Sequence, residues 1–178
     1  MASIIAIQLD VSYTALIRAL NTFPGVPGRL QRHQLANGAL AFVDYAHNPS
    51  SFKEVLSTLR PYTQQLIVVF GCGGNRDATK RPVMGELAAA YGDVVIVTSD
   101  NPRFEEPATI IKEIIAGIPA DQAAKVQIYP DRATAIEYAA SIAGEDAIIA
   151  LLGKGHEPYY ECQGQTTHFD DMEEIGQY

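Results

Sequence analysis

Five short apolar runs alternate with helix-like segments, and this alternation limits the fold more than any other feature of the sequence. The runs lack the strict polar alternation of a strand with one face in water, so they are expected to be buried on both faces. Strand–helix–strand repeats connect through right-handed crossovers, which predicts an α/β fold with a doubly wound, mostly parallel sheet. The predicted strands are 39–45, 65–71, 93–98, 125–129 and 146–153, and the predicted helices lie near 49–60, 79–91, 106–117 and 131–143.

Two hairpins are predicted beside this pattern. Asn37-Gly38 separates two strand-like runs, and this pair tolerates the positive φ of a tight turn. The tail YYECQGQTTHF predicts a second hairpin that turns at Gln163-Gly164.

The first 25 or so residues differ from the rest. Residues 3–20 have helical apolar spacing, and NTFPGVPGR follows with two prolines and two glycines, which is typical of a linker. We expect one helix that belongs to another part of a protein, followed by a hinge at 24–28.

Composition excludes several classes. The formal net charge of −8 and the pI of about 4.9 argue against a general binder of nucleic acid or anionic membranes, although local arginines can still bind a small anion. No apolar run approaches the ~20 residues of a membrane span, and the start does not resemble a signal peptide. The two cysteines, Cys72 and Cys162, and the four histidines show no metal-ligand spacing, so we expect no metal site and a cytoplasmic location.

Polar and charged residues concentrate where the predicted strands end. Ligands of open α/β sheets bind beyond the carboxyl ends of the strands. The segments there are DYAHNP (44–49), GCGGNRD (71–77), TSDNPR (98–103), YPDR (129–132) and GKGHE (153–157), whereas the loops at the opposite end are blander.

These loops contain no standard nucleotide signature. GCGGNRD lacks the third glycine of GxGxxG, and GKGHE lacks the upstream glycine and the Ser/Thr of a P-loop. Arg76 and Arg103 present planar forks for carboxylates or phosphates, and Glu157 is suited to an ammonium group. A pocket with these three residues favours a zwitterionic ligand with more than one carboxylate.

Simpler structural interpretations remain open for the individual motifs. Taken alone, Asp100-Asn101-Pro102 is more typical of a turn with a helix cap than of a site. Asp44 is harder to explain structurally, because an acid that ends an apolar strand needs a partner. The other structural interpretations are turn glycines at Gly71, Gly73 and Gly74, a small core residue at Cys72, and solvated loop residues at Lys154 and His156.

Five segments, in order and with family spacing, resemble the Mur ligases of peptidoglycan synthesis. They are FPGVPGRLQ, VDYAHNP, FGCGGNRDATKRPVMG, TSDNPRFEEP and LLGKGHE, and the resemblance extends over about residues 3–171. It is strongest to the members that add the third amino acid, meso-diaminopimelate. The family more often has Asp where this chain has Asn75.

The resemblance implies a domain organisation. Residues 1–24 are expected to be the last helix of a central ATPase domain. Residues 25–178 are expected to be the C-terminal, amino-acid-binding domain, with a Rossmann-like sheet, an antiparallel edge hairpin and a shortened C-terminus. The family's P-loop and carboxylate-activating site would lie in the central domain, so no catalytic residue is expected in this chain.

The resemblance also implies roles for individual residues. Arg103 is expected to clamp the distal carboxylate that meso-diaminopimelate has and lysine lacks. The residues expected to face ATP are Arg29, Asp44 and His47, and those expected to contact the amino acid are Arg76, Asp100, Asn101, Pro102, Arg103, Gly153 and Glu157.

The implied reaction is amide-bond formation with ATP and Mg²⁺. ATP phosphorylates the γ-carboxyl of D-glutamate in UDP-N-acetylmuramoyl-L-alanyl-D-glutamate, and an amine of meso-diaminopimelate attacks the acyl phosphate. A cytoplasmic monomer without nucleic-acid or membrane partners is expected. Two alternatives remain: a stand-alone flavodoxin-like binding module without catalysis, which would not explain the ordered motifs, and the same ligase using L-lysine, against which Arg103 argues.

Overall fold

The computed structural model describes residues 2–178, with side chains described from residue 3 onward, and it contains a six-stranded sheet with helices on both faces. The elements are α1 (Ala2–Gln8), α2 (Tyr13–Thr22), β1 (Gln31–Gln34), β2 (Leu40–Asp44), α3 (Pro49–Leu59), β3 (Leu66–Phe70), α4 (Lys80–Tyr91), β4 (Val94–Val97), α5 (Pro107–Ile115), β5 (Val126–Ile128), α6 (Arg132–Ile142), β6 (Ile148–Leu152), β7 (Tyr159–Cys162), β8 (Gln165–His168) and α7 (Asp171–Ile175).

The strand order is β1-β2-β6-β3-β4-β5, and β1 alone in this sheet runs antiparallel. The α/β, mostly parallel fold with an antiparallel edge hairpin at Asn37-Gly38 is therefore confirmed. Strand β6 lies between β2 and β3, with Leu152 level with both Asp44 and Phe70. The carboxyl ends of these three strands consequently meet at one edge.

The absence of polar alternation in β3 is explained by burial on both faces. All five of its residues are buried. Leu66, Val68 and Phe70 pack with α3, α4 and α5, whereas Ile67 and Val69 pack with α6 and α7. Full burial of each such side chain contributes roughly 1.5–3 kcal/mol, so the central strands form a rigid base for the loops that follow them.

The second predicted hairpin is present, but it forms a separate two-stranded sheet of β7 and β8. Its connection to the main body includes a parallel bridge between Cys162 and Arg103. Helix α7 follows and is fixed by Asp171, whose two carboxylate oxygens each accept a 2.7 Å hydrogen bond from the buried Arg132.

The single N-terminal helix predicted over residues 3–20 is wrong, because the segment forms two helices. Asp10 has φ 59°, and Ser12 accepts a hydrogen bond from the amide of Ala15 and so caps the start of α2. Apolar spacing cannot hold a helix continuous when its apolar face packs on nothing, and no residue from 3 to 24 is buried. Among residues 2–178, no helix is long and apolar enough to cross a membrane.

Candidate functional site

A cavity of about 340 Å³ lies at the carboxyl ends of β2, β3, β4 and β6. This is where an open α/β sheet binds its ligands. The residues that line it are Tyr45, His47, Gly73, Arg76, Asp77, Lys80, Asp100, Asn101, Arg103, Gly153, Glu157 and Tyr159.

Glycines allow the loops around this cavity to pack backbone against backbone. A Cβ at Gly74 would lie 1.9 Å from the carbonyl oxygen of Pro102, and one at Gly71 would lie 2.4 Å from that of Thr98. A Cβ at Gly153 would lie 2.8 Å from the Asp100 carboxylate. The loops after β3, β4 and β6 therefore form one unit that only glycine at these positions permits.

Asn101 is the hydrogen-bonding centre of that unit. Its amide nitrogen donates to Glu157 at 3.0 Å, and its oxygen accepts from Lys154 at 3.1 Å and from the backbone N–H of Glu161 at 3.0 Å. Asn101 is buried, so these bonds satisfy groups that would otherwise be costly to bury. The helix-cap interpretation of Asp100-Asn101-Pro102 is wrong, because Glu106 occupies the cap position of α5.

The expectation that Lys154 is a solvated loop residue is also wrong, because this side chain is fully buried. Its ammonium donates to Asn101 and to the carbonyl of Tyr159, and it lies 5.5 and 5.9 Å from the rings of Tyr159 and Phe169. Burial lowers the pKa of Lys154, while the nearby Asp100 carboxylate opposes that shift. His156, in contrast, is exposed as expected.

Glu157 forms the negative wall of the cavity. Its carboxylate accepts hydrogen bonds from Asn101 and, at 3.3 Å, from the Tyr45 hydroxyl. Burial, followed by the Glu157 charge, raises the pKa of Tyr45 and of Tyr159. Both hydroxyls therefore remain protonated donors around a carboxylate that can accept an ammonium group.

Arg103 and Arg76 supply positive charge to the same cavity. Arg103 has φ 52°, its Nη1 donates to the carbonyl of Gly74 at 2.9 Å, and its Nε lies 3.1 Å from a carboxylate oxygen of Glu161. Arg76 is exposed, and its Nη1 donates only weakly, at 3.3 Å, to the carbonyl of Asn75. Arg76 thus retains more donors for a ligand than Arg103 does.

A buried charge cluster that the sequence analysis missed supports the loop after β3. The Arg81 side chain is 1% exposed and donates to Glu105, to Glu113 and to the carbonyl of Gly73. Hydrogen bonding from Arg81 lowers the pKa of Glu105. The only sequence signal was a basic residue in the first turn of a helix, where the helix dipole disfavours it.

Three further predicted site residues, Arg29, Asp44 and His47, lie next to Tyr45. The guanidinium of Arg29 lies 4.7 Å from the centre of the Tyr45 ring, and Nδ1 of His47 lies 2.8 Å from the Tyr45 carbonyl oxygen. Both oxygens of Asp44 accept backbone amides, from Leu30 and Ala46, at 2.8 Å. Asp44 therefore ties the loop that carries Arg29 to the end of β2.

The structure brings most of the predicted site residues together. Of the amino-acid set, all but Pro102 line the cavity, and His47 joins them, while Arg29 and Asp44 lie behind Tyr45. The lining residues that were not predicted as site residues are Tyr45, Gly73, Asp77, Lys80 and Tyr159. Three cationic side chains (Arg76, Lys80, Arg103) and three anionic ones (Asp77, Asp100, Glu157) line the same cavity. Among residues 2–178 no cluster of three His, Cys, Asp or Glu side chains could hold a metal ion.

A second cavity, of about 800 Å³, lies near the amino ends of β2 and β6. Its charged lining residues are both acidic, Glu145 and Asp146, and the rest of its wall is largely apolar. None of the predicted site residues lines it.

Comparison with known proteins gives one family. The sequence model described as "Mur ligase, glutamate ligase domain" matches residues 28–155. UDP-N-acetylmuramoyl-L-alanyl-D-glutamate–2,6-diaminopimelate ligase of Prochlorococcus marinus (strain NATL1A) is 44% identical over 177 residues, which is 96% of this chain and 34% of that protein. The ligase of the same name from Acidovorax sp. (strain JS42) is 44% identical over 168 residues, 92% of this chain and 33% of that protein.

Solved structures agree. A structure with the same ligase name is 39% identical and superposes with a TM-score of 0.80 over 99% of this chain and 36% of that chain. Folylpolyglutamate synthase from Thermotoga maritima, at 23% identity and a TM-score of 0.58 over 80% of this chain and 31% of that chain, shares the fold. The chain spans about a third of the length of these curated relatives. On the family match and the identity over nearly its whole length, this chain belongs to the Mur ligase family.

Proposed function

We propose that this chain is the C-terminal, amino-acid-binding domain of a UDP-N-acetylmuramoyl-L-alanyl-D-glutamate–2,6-diaminopimelate ligase. The observation that carries the proposal is the charge balance of the carboxyl-end cavity, in which three cations and three anions converge. Such a lining suits a ligand with several charges of both signs and no large apolar part.

meso-Diaminopimelate has this chemistry, because each of its two ends carries an ammonium and a carboxylate group. Arg76 and Arg103 would bind carboxylates, and Glu157 and Asp100 would bind ammonium groups. Asn101 and Gly153 would act by holding Glu157 and Asp100 in place, and Pro102 by packing against Gly74. L-Lysine lacks the second carboxylate and would leave Arg103 without its ligand partner.

ATP would bind next to this cavity, on the side of Tyr45 that carries Arg29 and His47. Arg29 and His47 are exposed and are able to contact phosphates or the nucleoside, whereas Asp44 would contribute by fixing the Arg29 loop. The described residues offer no metal cluster, so Mg²⁺ would be held mainly by parts of the ligase outside this chain. Residues 1–24 would belong to the preceding ATPase domain, with the hinge at 24–28 allowing closure.

In this proposal the domain delivers the amine and completes the ATP site. ATP phosphorylates the γ-carboxyl of the D-glutamate residue, the amine of meso-diaminopimelate attacks the acyl phosphate, and phosphate leaves. The chain on its own is then expected to release no phosphate from ATP.

Replacing Arg103 tests the proposal. Losing a hydrogen bond to a charged group typically costs roughly 1.5–3 kcal/mol. Arg103→Ala in a full-length ligase that contains this sequence should therefore lower kcat/KM for meso-diaminopimelate by about one to two decades. The value for ATP should change little, and discrimination against L-lysine should narrow. Arg103→Lys should rescue poorly, because a point charge cannot reproduce the fork.

Arg60→Ala is the matched control. Arg60 pairs with Asp93 at 2.6 Å, away from the cavity, so its loss should affect stability without changing the preference between the two amino acids. A kcat/KM for meso-diaminopimelate within twofold of wild type in Arg103→Ala would contradict the assignment of Arg103.

A further inference from the structure

Strand β7 pairs through backbone hydrogen bonds with the loop that carries Arg103. The backbone N–H of Arg103 donates to the carbonyl of Glu161 at 3.0 Å, and the N–H of Gln163 donates to the carbonyl of Arg103 at 2.6 Å. These two bonds bracket a residue whose φ of 52° costs a non-glycine residue about 1–2 kcal/mol. The hairpin thus holds Arg103 in a conformation that the loop alone would rarely adopt.

The side chain of Glu161 acts on the same arginine. Its carboxylate lies 3.1 Å from Nε of Arg103, while the carbonyl of Gly74 accepts from Nη1 at 2.9 Å. These two groups contact different nitrogens of one planar guanidinium, and together they fix its position and its plane. Nη2 has no hydrogen-bond partner within residues 3–178 and remains for a ligand.

The backbone of Glu161 is fixed by a second hydrogen bond. Its backbone N–H donates to Asn101, the residue that also orients Glu157. The Glu161 side chain is 30% exposed but does not line the cavity. Arg103 lines it, and so does Tyr159, which lies two residues before Glu161 in β7. Glu161 is therefore placed to act on a ligand through Arg103 rather than by touching it.

We propose that Glu161 is a positioning residue that sets the selectivity of the cavity for an amino acid with a distal carboxylate. This inference rests on the proposed function. Without the carboxylate at Nε, the guanidinium keeps only its Nη1 contacts, with the carbonyls of Gly74 at 2.9 Å and Asn101 at 3.5 Å. It can then rotate about Nη1, so its fork no longer points steadily at the ligand. Recognition of the distal carboxylate weakens, whereas groups on the ATP side of Tyr45 are unaffected.

The experiment is steady-state kinetics of a full-length ligase that contains this sequence, with Glu161→Ala and Glu161→Gln. In Glu161→Ala the KM for meso-diaminopimelate should rise about tenfold, a size typical of losing one charge-assisted contact. The kcat and the KM for ATP should stay within twofold, and the preference over L-lysine should narrow. Glu161→Gln keeps an oxygen that can face Nε, so its KM for meso-diaminopimelate should be close to that of wild type.

Thr166→Ala is the matched control. Thr166 is exposed and lies directly opposite Glu161 in the hairpin, so its replacement perturbs the same strand pair without touching Arg103. It should leave all three kinetic constants within twofold of wild type.

A double-mutant cycle separates positioning from stability. If Glu161 acts through Arg103, Glu161→Ala should have no further effect on the KM for meso-diaminopimelate in the Arg103→Ala background. Additive effects, a lowered KM, or an equal rise in the KM for ATP and for the amino acid would each overturn the inference. If the wild-type ligase itself uses L-lysine as well as meso-diaminopimelate, the proposed function fails. If wild type prefers meso-diaminopimelate and Glu161→Ala keeps its KM within twofold, only this inference fails.

Discussion

The cavities at the two ends of the central sheet differ in volume and in the charges that line them. The larger cavity is not the one with the richer set of charged groups. The amino-end cavity, at about 800 Å³, is more than twice the volume of the carboxyl-end cavity at about 340 Å³. The smaller one nevertheless carries the balanced set of cations and anions. In this fold the direction of the parallel strands, rather than the volume of a cavity, therefore indicates where we expect a ligand to bind.

The two ends are also joined differently. At the carboxyl end, glycine lets backbones meet, as at Gly74 and Pro102. At the amino end, side chains add connections to the backbone bonds between segments: Gln65 donates to the carbonyl of Ile142 and accepts from the N–H of Gly144, and Arg60 donates to Thr63 and Asp93. Backbone contact gives the carboxyl-end loops little freedom, which suits residues that must meet a small ligand at fixed positions.

The largest expected effect comes from placing a methyl group at one of these backbone contacts. Gly74→Ala puts a Cβ 1.9 Å from the Pro102 carbonyl oxygen, so the loops must separate, at a cost on the order of 3 kcal/mol. Thermal unfolding followed by circular dichroism should show a melting temperature lower by about 6–12 °C. Ligand binding in the cavity should be lost as well.

Gly144→Ala is the corresponding change on the amino-end side. Its Cβ would lie 3.2 Å from the side-chain oxygen of Gln65, which can move aside. We expect a cost below about 1 kcal/mol, and equal losses in the two variants would break the contrast between backbone and side-chain joints.

Local pattern predicted the scaffold but not the contacts between loops. Unalternating apolar runs, Asn37-Gly38 and Gln163-Gly164 each encode their structure within a few residues, so the strands, helices and hairpins were predicted close to their observed bounds. The burial of Lys154 depends on Asn101 and on the ring of Phe169, and the pairing of Arg103 depends on Glu161. These partners are distant in sequence, so no local pattern indicates them.

The prediction of one N-terminal helix was wrong because a local pattern was present but the packing it depends on was not. Its apolar spacing is local and regular, but a helix of this length in water depends on packing for its stability. With no surface to cover, the capping preference of Ser12 prevails, and the segment divides into α1 and α2.

A smaller effect is expected from replacing Glu105, one of the two acids that pair with the buried Arg81. Glu105→Gln removes a charged partner of a buried guanidinium and should destabilise the protein by about 1.5 kcal/mol at pH 7. The pKa of Glu105 is lowered in the folded state, so its stabilisation is fully present above its ordinary value of about 4.5 and is lost as the pH falls through the lower folded pKa. The difference between variant and wild type should therefore shrink in urea titrations below pH 4.

Glu145→Gln provides the amino-end control for that titration. Glu145 is exposed and lines the larger cavity. Its replacement should change stability by less than about 0.5 kcal/mol. A Glu105→Gln effect that stays constant down to pH 3 would show that the loss does not come from the charge.

The smallest effect is expected from removing the N-terminal segment, residues 1–24, which contributes no lining residue to either cavity. Removing residues 1–24 deletes α1 and α2, in which no residue from 3 onward is buried. The melting temperature should fall by less than about 2 °C, because little apolar area leaves the core. A fall of 8 °C or more, at a concentration where the protein is monomeric, would place these helices in the core of this domain.

The most direct test of the account is to locate bound meso-diaminopimelate. Crystals of a full-length ligase that contains this sequence, grown with meso-diaminopimelate and a non-hydrolysable ATP analogue, would show the ligand in electron density. We predict that the amino acid lies in the carboxyl-end cavity, with one carboxylate on Arg103 and an ammonium group on Glu157. Density for it in the amino-end cavity, or in the carboxyl-end cavity with Arg103 still bound only to Glu161 and Gly74, would contradict the account.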